Sequence, residues 1–237
     1  MAALDPDLLL RAYSVGVFPM ASTRDAADVF WVEPKKRGIL PLDAFHLSRS
    51  LAKTIRSDRY TITVDTVFSE VVNACAEATE RRPDTWINPD IETAYAELHR
   101  RGYAHSVEAW LDGVLVGGLY GVRLGAAFFG ESMFSRARDA SKVALAHLVA
   151  RLKVGGFRLL DCQFLTEHLA SLGTIEIGRD AYIALLDSAL GLGSAAGGDA
   201  VGPADFFALE RAAGAEAATV SGPVSGWRIV QLLGHTS

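Results

Sequence analysis

The chain has 237 residues, a formal net charge of −5, 50% hydrophobic residues and 22% charged residues. This composition is typical of a folded globular protein and excludes disordered, collagen-like and disulfide-scaffold chains. No apolar run approaches the roughly 20 residues that span a bilayer, and the two cysteines form neither a disulfide framework nor a metal-binding spacing.

The first residues, MAALDPDLLLRAY, lack the basic segment and apolar stretch of a secretory signal. We therefore expect a protein of the reducing cytoplasm, with no metal and no cofactor.

The first half of the chain predicts short helices and strands separated by glycine and proline. Helices are predicted at Asp7–Ser14, Leu47–Arg56, Val67–Thr79 and Pro89–Arg101, and strands at Val29–Val32 and Tyr60–Val64. Thr66 is the predicted N-cap of the third helix.

The second half predicts a β-meander followed by alternating helices and strands. Strands are predicted at Val107–Leu111, Val114–Val122, Ala127–Phe134 and Phe157–Phe164, and helices at Lys142–Lys153, His168–Leu172 and Tyr182–Leu190. Asp112-Gly113 is a hairpin signal, and Thr166 is the predicted cap of the short helix. Residues 191–200 have the composition of a mobile linker, and Trp227–Leu233 alternates like a late strand. Together these elements indicate an α+β fold around one mainly antiparallel sheet.

Asp161 and Gln163 lie two residues apart on a predicted strand, so their side chains should share one face of the sheet. Cys162 should point to the other face, which favours a core thiol over a nucleophile. A buried, hydrogen-bonded structural role for Asp161 is an alternative to a chemical one, because an unpaired carboxylate among apolar neighbours is costly.

Glu131 is expected to share a face with Phe129 and Met133 unless Gly130 marks a β-bulge. Its carboxylate suits a substrate ammonium or a basic side chain. The alternative is an ion pair of Glu131 with a nearby cation, Arg136 or Lys142.

Charge is distributed unevenly along the chain. Residues 35–59 contain seven basic residues and two acids, whereas residues 161–237 contain three basic residues and nine acids. This asymmetry suits an RNA-facing surface at one end, although two differently solvated surfaces would give the same count. The candidate RNA contacts are Lys35, Lys36, Arg49, Lys53 and Arg56.

Several uncommon sequence words occur in one order between Leu4 and Leu190. They are FPM at Phe18–Met20, HLSRS at His46–Ser50, TWI at Thr85–Ile87, HSVEAW at His105–Trp110, GGLYGVRLGAAFFGESMFSR at Gly117–Arg136, DASK at Asp139–Lys142, DCQ at Asp161–Gln163 and HLASLG at His168–Gly173. In these words the chain resembles the leucyl/phenylalanyl-tRNA–protein transferase family.

The resemblance implies a GNAT-like acyltransferase core at residues 35–190, preceded by a small N-terminal segment at 1–34 and followed by an extension at 191–237. It implies transfer of leucine or phenylalanine, less often methionine, from aminoacyl-tRNA to the N-terminal Arg or Lys of acceptor proteins. Such transfer marks the acceptors for N-degron degradation. We expect a monomer with no membrane contact.

Within this interpretation Asp161, Gln163 and Glu131 are the candidate catalytic residues. Asp161 would polarise Gln163 or a water, and the two carboxylates together would form an acidic niche. Four apolar residues are candidates for the aminoacyl pocket or, alternatively, for core packing: Leu119, Phe128, Phe129 and Leu160. Met20 and Trp86 are candidates for the tRNA 3′ adenosine, although Met20 stands where the family often has tryptophan.

Three alternatives to this function are open. In an acetyl-CoA-dependent GNAT enzyme, a glycine-containing loop would cradle a pyrophosphate, but residues 136–141 read RARDAS and contain no glycine. An RNA-binding module would capture aminoacyl-tRNA without turnover. A transferase with a different acceptor preference would explain the departures at Met20 and Val32.

Overall fold

The computed structural model describes residues 4–79, 83–192, 203–216 and 224–234. The helices are α1 (Pro6–Ser14), α2 (Arg49–Arg56), α3 (Phe68–Ala76), α4 (Pro89–Arg100), α5 (Ala140–Val154), α6 (Glu167–Ala170), α7 (Arg179–Leu190), α8 (Ala208–Glu216) and α9 (Gly226–Gly234), with a 3-10 turn at Leu42–Ala44. The strands are β1 (Phe18–Ala21), β2 (Val29–Val32), β3 (Lys36–Ile39), β4 (Thr61–Val64), β5 (Ala104–Leu111), β6 (Val114–Leu124), β7 (Ala127–Ser135), β8 (Leu159–Gln163) and β9 (Ile175–Gly178).

A seven-stranded sheet in the order β4-β5-β6-β7-β8-β3-β9 forms the centre of the fold, and β1 and β2 pair separately as a small antiparallel sheet. All neighbours in the large sheet are antiparallel except β7 and β8, which run parallel. The predicted α+β fold with a mainly antiparallel sheet flanked by helices is therefore confirmed.

Helices cover both faces of the large sheet. Residues of α1, α3, α4 and α7 pack in one hydrophobic cluster, and residues of α2, α5, α8 and α9 pack in the other. Both clusters contain side chains from the sheet itself, so the sheet is buried on both faces. No helix among the described residues is long and apolar enough to cross a membrane.

The predicted helices and strands before residue 192 are all present, with bounds shifted by a few residues. The Asp112-Gly113 turn is confirmed, since both residues have positive φ between β5 and β6, and so is the Thr166 cap, whose hydroxyl accepts from the Leu169 N–H. The Thr66 cap is wrong: α3 begins after Val67, with no side-chain cap.

The late strand predicted at Trp227–Leu233 is wrong, because these residues lie in α9. The two buried apolar side chains of this segment, Ile229 and Leu233, are four residues apart, as expected for one face of a helix. The alternation of apolar and polar residues in WRIVQLL therefore does not indicate a strand. Residues 193–200 of the predicted linker lie outside the described residues.

Candidate active site

A cavity opens where the two parallel strands of the sheet separate. β7 and β8 pair only from Ala127–Leu159 to Phe129–Asp161. Beyond this point β8 ends at Gln163, whose φ of 61° turns the chain into the left-handed region. Residues that follow the last pair on both strands line a cavity of about 270 Å³. The topology thus places residues of the DCQ and GES words around the same cavity.

Glu131 occupies a β-bulge. Gly130 pairs with Gly121 on β6, and the next pair omits Glu131 altogether. A Cβ on Gly121 would lie 2.2 Å from the Phe129 carbonyl oxygen, so this position requires glycine. The bulge interrupts the alternation, and Phe129 and Met133 pack in different hydrophobic clusters. The bulge alternative therefore holds, and the expected common face of Phe129 and Met133 is wrong.

Three side chains donate hydrogen bonds to the Glu131 carboxylate. Tyr13 donates to Oε1 at 2.7 Å, and Tyr95 and the Gln163 amide donate to Oε2 at 3.1 and 2.9 Å. The two tyrosine hydroxyls also contact each other. Burial raises the pKa of Glu131 to about 7, because desolvation outweighs the three hydrogen bonds, which favour the charged form.

The ion-pair alternative for Glu131 is wrong. Arg136 pairs with Glu77, and Lys142 approaches Asp139. Glu131 is only 7% exposed and also lines the cavity. A buried carboxyl group that titrates near neutral pH in a cavity has the properties of a functional group.

Asp161 lies behind the cavity and is fully buried. Its carboxylate accepts a two-pronged ion pair from Arg37, with Nε–Oδ1 at 2.9 Å and Nη2–Oδ2 at 2.7 Å, and a hydrogen bond from Tyr182 at 2.7 Å. Oδ1 also accepts the backbone N–H of Gln163 at 2.7 Å. Asp161 therefore contacts the Gln163 backbone and not its amide side chain.

The pairing with Arg37 has two consequences for the sequence interpretation. Arg37 is 1% exposed and lies between the Phe18 and Tyr182 rings, each 4.6 Å away, so it is unavailable to RNA. Because Arg37 neutralises Asp161, the acidic niche expected from two carboxylates does not form. Glu131 is the carboxylate that faces the cavity.

The floor of the cavity is apolar and its open side is aromatic and polar. Buried leucines from β6, α5 and β8 form the floor: Leu119, Leu145, Leu148 and Leu160. Trp86, Phe164, Thr166 and His168 line the part that is nearer to solvent. The cavity therefore combines an apolar recess with the Glu131–Gln163 pair.

The structure separates the predicted substrate-binding residues into two groups. Leu119, Leu160 and Trp86 line the cavity, whereas Phe128, Phe129 and Met20 do not. Phe128 stacks on Phe206 and Phe129 packs on Tyr13. For these two phenylalanines the core-packing alternative describes the structure.

Cys162 also lines the cavity, but burial raises the pKa of its thiol to about 12, with a contribution from Asp161. A thiol of this pKa is almost entirely protonated at neutral pH and is a poor nucleophile.

The predicted RNA-contacting residues lie on two elements. Arg49, Lys53 and Arg56 are exposed on α2, and within the described part of the chain none of them pairs with an acid. Lys35 is exposed before β3, and Lys36 pairs with Glu176 at 2.9 Å. Contact of these residues with tRNA stays a prediction.

Comparison with protein families gives two matches that together cover most of the chain. Residues 39–187 match the leucyl/phenylalanyl-tRNA protein transferase family, and residues 2–35 match the N-terminal domain of the same proteins. The chain belongs to the leucyl/phenylalanyl-tRNA–protein transferase family. It is therefore a transferase.

Curated members of the leucyl/phenylalanyl-tRNA–protein transferase family are similar to the chain. The Rhizorhabdus wittichii protein is 69% identical, with complete coverage of both chains. The Zymomonas mobilis protein is 67% identical over 79% of this chain and 70% of its own length, and the Paramagnetospirillum magneticum protein is 62% identical over 80% and 91%.

Likeness to solved structures is weaker. A crystal structure of FemX has 12% sequence identity and a TM-score of 0.47, covering 73% of this chain and 66% of FemX. A ribosomal-protein-alanine N-acetyltransferase from Brucella melitensis has 18% identity and a TM-score of 0.35, covering 48% and 86%.

The sequence interpretation missed four residues of the site: Tyr13, Tyr95, Arg37 and Tyr182. Tyr13 and Tyr95 lie on helices 118 and 36 residues from Glu131, so no local pattern joins them to it. The available signal was chemical, since a buried tyrosine hydroxyl needs a partner. Arg37 was counted as part of a basic segment.

Proposed function

We propose that this enzyme transfers leucine or phenylalanine, and less often methionine, from aminoacyl-tRNA to the N-terminal Arg or Lys of acceptor proteins. The transfer would mark those proteins for degradation. The observation that carries the proposal, within this family, is one cavity that holds both an apolar floor and the Gln163–Glu131 pair. The floor suits a large apolar side chain, and the polar pair suits an amine and an ester.

An apolar recess discriminates weakly among large apolar side chains, because one methylene is worth only about 1–3 kcal/mol. Leucyl, phenylalanyl and methionyl donors would therefore all be accepted, at different rates.

The reaction needs one bond formed and one broken. The neutral α-amine of the acceptor attacks the ester carbonyl of the donor, the new C–N bond forms, and the C–O bond to the ribose breaks. The proton lost by the amine is balanced by the proton gained by the released ribose hydroxyl. The aminoacyl ester is already activated, so this step requires neither ATP nor a metal.

Gln163 would orient the attacking amine. Its Nε2 donates to Glu131, which leaves the amide oxygen to accept an N–H from the amine. Since an α-amine has a pKa of about 8, part of it is neutral near pH 7, and correct positioning can supply up to roughly 7–11 kcal/mol of the barrier.

Glu131 would accept the amine's proton. Its pKa of about 7 makes it a proton acceptor matched to neutral pH. Its negative charge when ionised would also favour the basic N-terminal residue of the acceptor. Asp161 would act as a positioning residue, because it holds the Gln163 backbone N–H.

The parallel β7–β8 pair, which separates at the cavity inside an otherwise antiparallel sheet, supports a GNAT-like acyltransferase core within residues 35–190. We divide the chain further into a small N-terminal segment, 1–34, and an extension, 191–237. A monomer acting in the cytoplasm, where aminoacyl-tRNA is made, fits this function.

The tRNA would contact the exposed cations of α2, Arg49, Lys53 and Arg56, together with Lys35 and Lys36. An acetyl-CoA-dependent reaction is less consistent with the site, because Asp139 stands at the start of α5. A carboxylate there would repel the negative charge of a pyrophosphate.

Acceptor choice tests the proposal. Peptides that differ only at the first residue, Arg, Lys or uncharged citrulline, are incubated with leucyl-tRNA and the enzyme, and initial transfer rates are compared. We expect the Arg and Lys peptides to react at least about tenfold faster than the citrulline peptide, since a buried charge contact is worth more than 1.4 kcal/mol. Equal rates would reject the proposed acceptor class.

A further inference from the structure

The helix α9 presents an exposed tryptophan beside the cationic face of α2. Trp227 is 60% exposed, and the guanidinium of Arg56 lies over its ring, 5.5 Å from the centroid. Single exposed apolar residues are normal on protein surfaces, so exposure alone carries no conclusion. The surroundings distinguish this tryptophan, because Arg49 and Lys53 are exposed on the same helix as Arg56.

The junction between α2 and α9 is tightly packed, which holds the tryptophan in place. A Cβ on Gly226 would overlap the Ile55 carbonyl oxygen, so this position requires glycine. The Gly226 N–H donates to Asp58 Oδ1 at 2.7 Å. Ile229 is fully buried and packs in the same hydrophobic cluster as Ile55. The exposed indole therefore stands on a fixed backbone.

Arg56 is oriented from within its own helix. Its Nε donates to the Ala52 carbonyl at 3.2 Å. A guanidinium over an indole face is attracted to it by about 0.5–1 kcal/mol at an exposed site. An aromatic ring and a positive charge are thus held side by side at the surface.

This combination fits RNA better than an acidic protein segment. Cations attract the phosphate backbone, and an aromatic ring stacks on the face of an unpaired base. An acidic peptide would pair with the cations but would make no use of the exposed indole. Proteins that bind unpaired nucleotides use both kinds of contact together.

The surface lies apart from the cavity but on the same side of the sheet. Side chains of α2 and α9 pack in one hydrophobic cluster with α5, and Leu145 and Leu148 of α5 line the cavity floor. Neither Trp227 nor Arg56 lines the cavity. A tRNA whose 3′ end enters the cavity would therefore reach α9 with nucleotides outside that end.

We propose that Trp227 stacks on an unpaired base of the donor tRNA outside its 3′ end, so that α9 extends the RNA surface of α2. This inference rests on the proposed function. Stacking is tolerant of base sequence, which suits an enzyme that accepts leucyl-, phenylalanyl- and methionyl-tRNA.

Stacking and charge contacts respond differently to salt, and this difference tests the proposal. Binding of intact tRNA, and of tRNA without its last three nucleotides, is measured at several salt concentrations for the wild type, Trp227→Ala, Trp227→Leu and Trp227→Phe. The control is Phe207→Ala, which removes another exposed aromatic ring of the same extension, one that contacts His105 and Phe206. Urea unfolding of each variant verifies that the fold is retained.

Trp227→Ala and Trp227→Leu should each weaken binding of both RNAs at least about fivefold. The slope of log affinity against log salt should stay unchanged, because stacking releases no counterions. Trp227→Phe should retain most of the affinity, and Phe207→Ala should bind both RNAs as the wild type does.

Unchanged affinity of Trp227→Ala for both RNAs would overturn the inference, and loss of self-association in that case would assign the surface to a second copy of the chain. Weakening confined to intact tRNA would place Trp227 at the 3′ end and would also overturn it. A lowered salt slope would mean that Trp227 acts only by holding Arg56, which contradicts stacking. Wild-type transfer from leucyl-tRNA to an Arg peptide, run in parallel, distinguishes failure of this inference from failure of the proposed function.

Discussion

At the scale of single residues, the site depends on two buried carboxyl groups with different environments. Asp161 is neutralised by Arg37 and holds the backbone of Gln163. Glu131 is surrounded by neutral donors and titrates near pH 7. This difference in partners assigns a structural role to Asp161 and a chemical role to Glu131.

The raised pKa of Glu131 couples stability to pH. Its pKa rises from 4.5 to about 7 on folding, so the folded state holds the proton more tightly than the unfolded state. Stability is therefore greatest below pH 4.5 for this group and falls by about 3 kcal/mol as pH rises to 7 and above. Glu131→Gln removes this loss. Between pH 5 and pH 8 the variant should gain stability relative to the wild type in urea unfolding.

The same variant tests the chemistry. Wild-type kcat/KM should rise with pH through about 7 as Glu131 ionises, in addition to the rise from the acceptor amine. Glu131→Gln should retain only the amine's rise and lose roughly 10²–10⁴ in rate. A variant with the wild-type pH profile would assign the proton acceptor elsewhere.

Arg37 is predicted to contribute to stability through its buried pair. Arg37→Leu leaves the Asp161 carboxylate buried without its counter-charge, which should cost about 3–5 kcal/mol in the free energy of unfolding. Lys36→Leu is the control, because Lys36 makes an exposed pair on the same strand and should leave the free energy of unfolding nearly unchanged. If Arg37→Leu weakens tRNA binding and leaves the free energy of unfolding unchanged, Arg37 contacts RNA and the assigned structural role is wrong.

At the scale of elements, the site depends on where two neighbouring strands separate. A bulge on β7 and a left-handed residue on β8 separate a parallel pair and open the cavity. The glycine in FFGES suggested the bulge in advance. The turn at Gln163 was not predictable, because glutamine has no preference for positive φ and takes it here through the Asp161 bond to its N–H.

The exposed face of α2 carries a prediction about RNA. Replacing Lys53 and Arg56 together by Glu should weaken tRNA binding and lower the slope of log affinity against log salt by about 1 to 2. The same double reversal at Arg100 and Arg101, which pair with Glu97 and, for Arg101, also with Asp7, is the control for a basic pair that acids already neutralise. Filter binding at several salt concentrations measures the tRNA affinity and its salt slope for each of the two variants. An unchanged slope for the α2 variant would place the RNA surface elsewhere.

Sequence periodicity predicted most elements, but it missed three strands and helix α8, and it predicted a strand where α9 lies. β1, β3 and β9 contain proline, glycine or charged residues (FPMA, KRGI and IEIG), whereas the equally short β2 and β4 (VFWV and TITV) consist of β-branched and aromatic residues, which favour strands. Because β3 was missed, Arg37 was counted as a surface cation. A charge count does not distinguish a buried, paired guanidinium from an exposed one. The partners that decide the two cases, Asp161 and Tyr182, lie more than a hundred residues away in sequence.

At the scale of the whole molecule, the fold gathers the site from distant parts of the chain. Tyr13 on α1, Tyr95 on α4, Glu131 on β7 and Gln163 on β8 meet through their side chains. The sequence words predicted the family and the last two residues of this group. The tyrosines become part of the site only when helices on one face of the sheet are packed against it.

The most direct test of the account is the mass of an Arg-initiated peptide after incubation with the enzyme and leucyl-tRNA, beside a reaction supplied with acetyl-CoA. We expect a peptide heavier by one leucyl residue in the first reaction and no acetylated product in the second. An unmodified peptide with tRNA still bound, or an acetylated peptide, would contradict it.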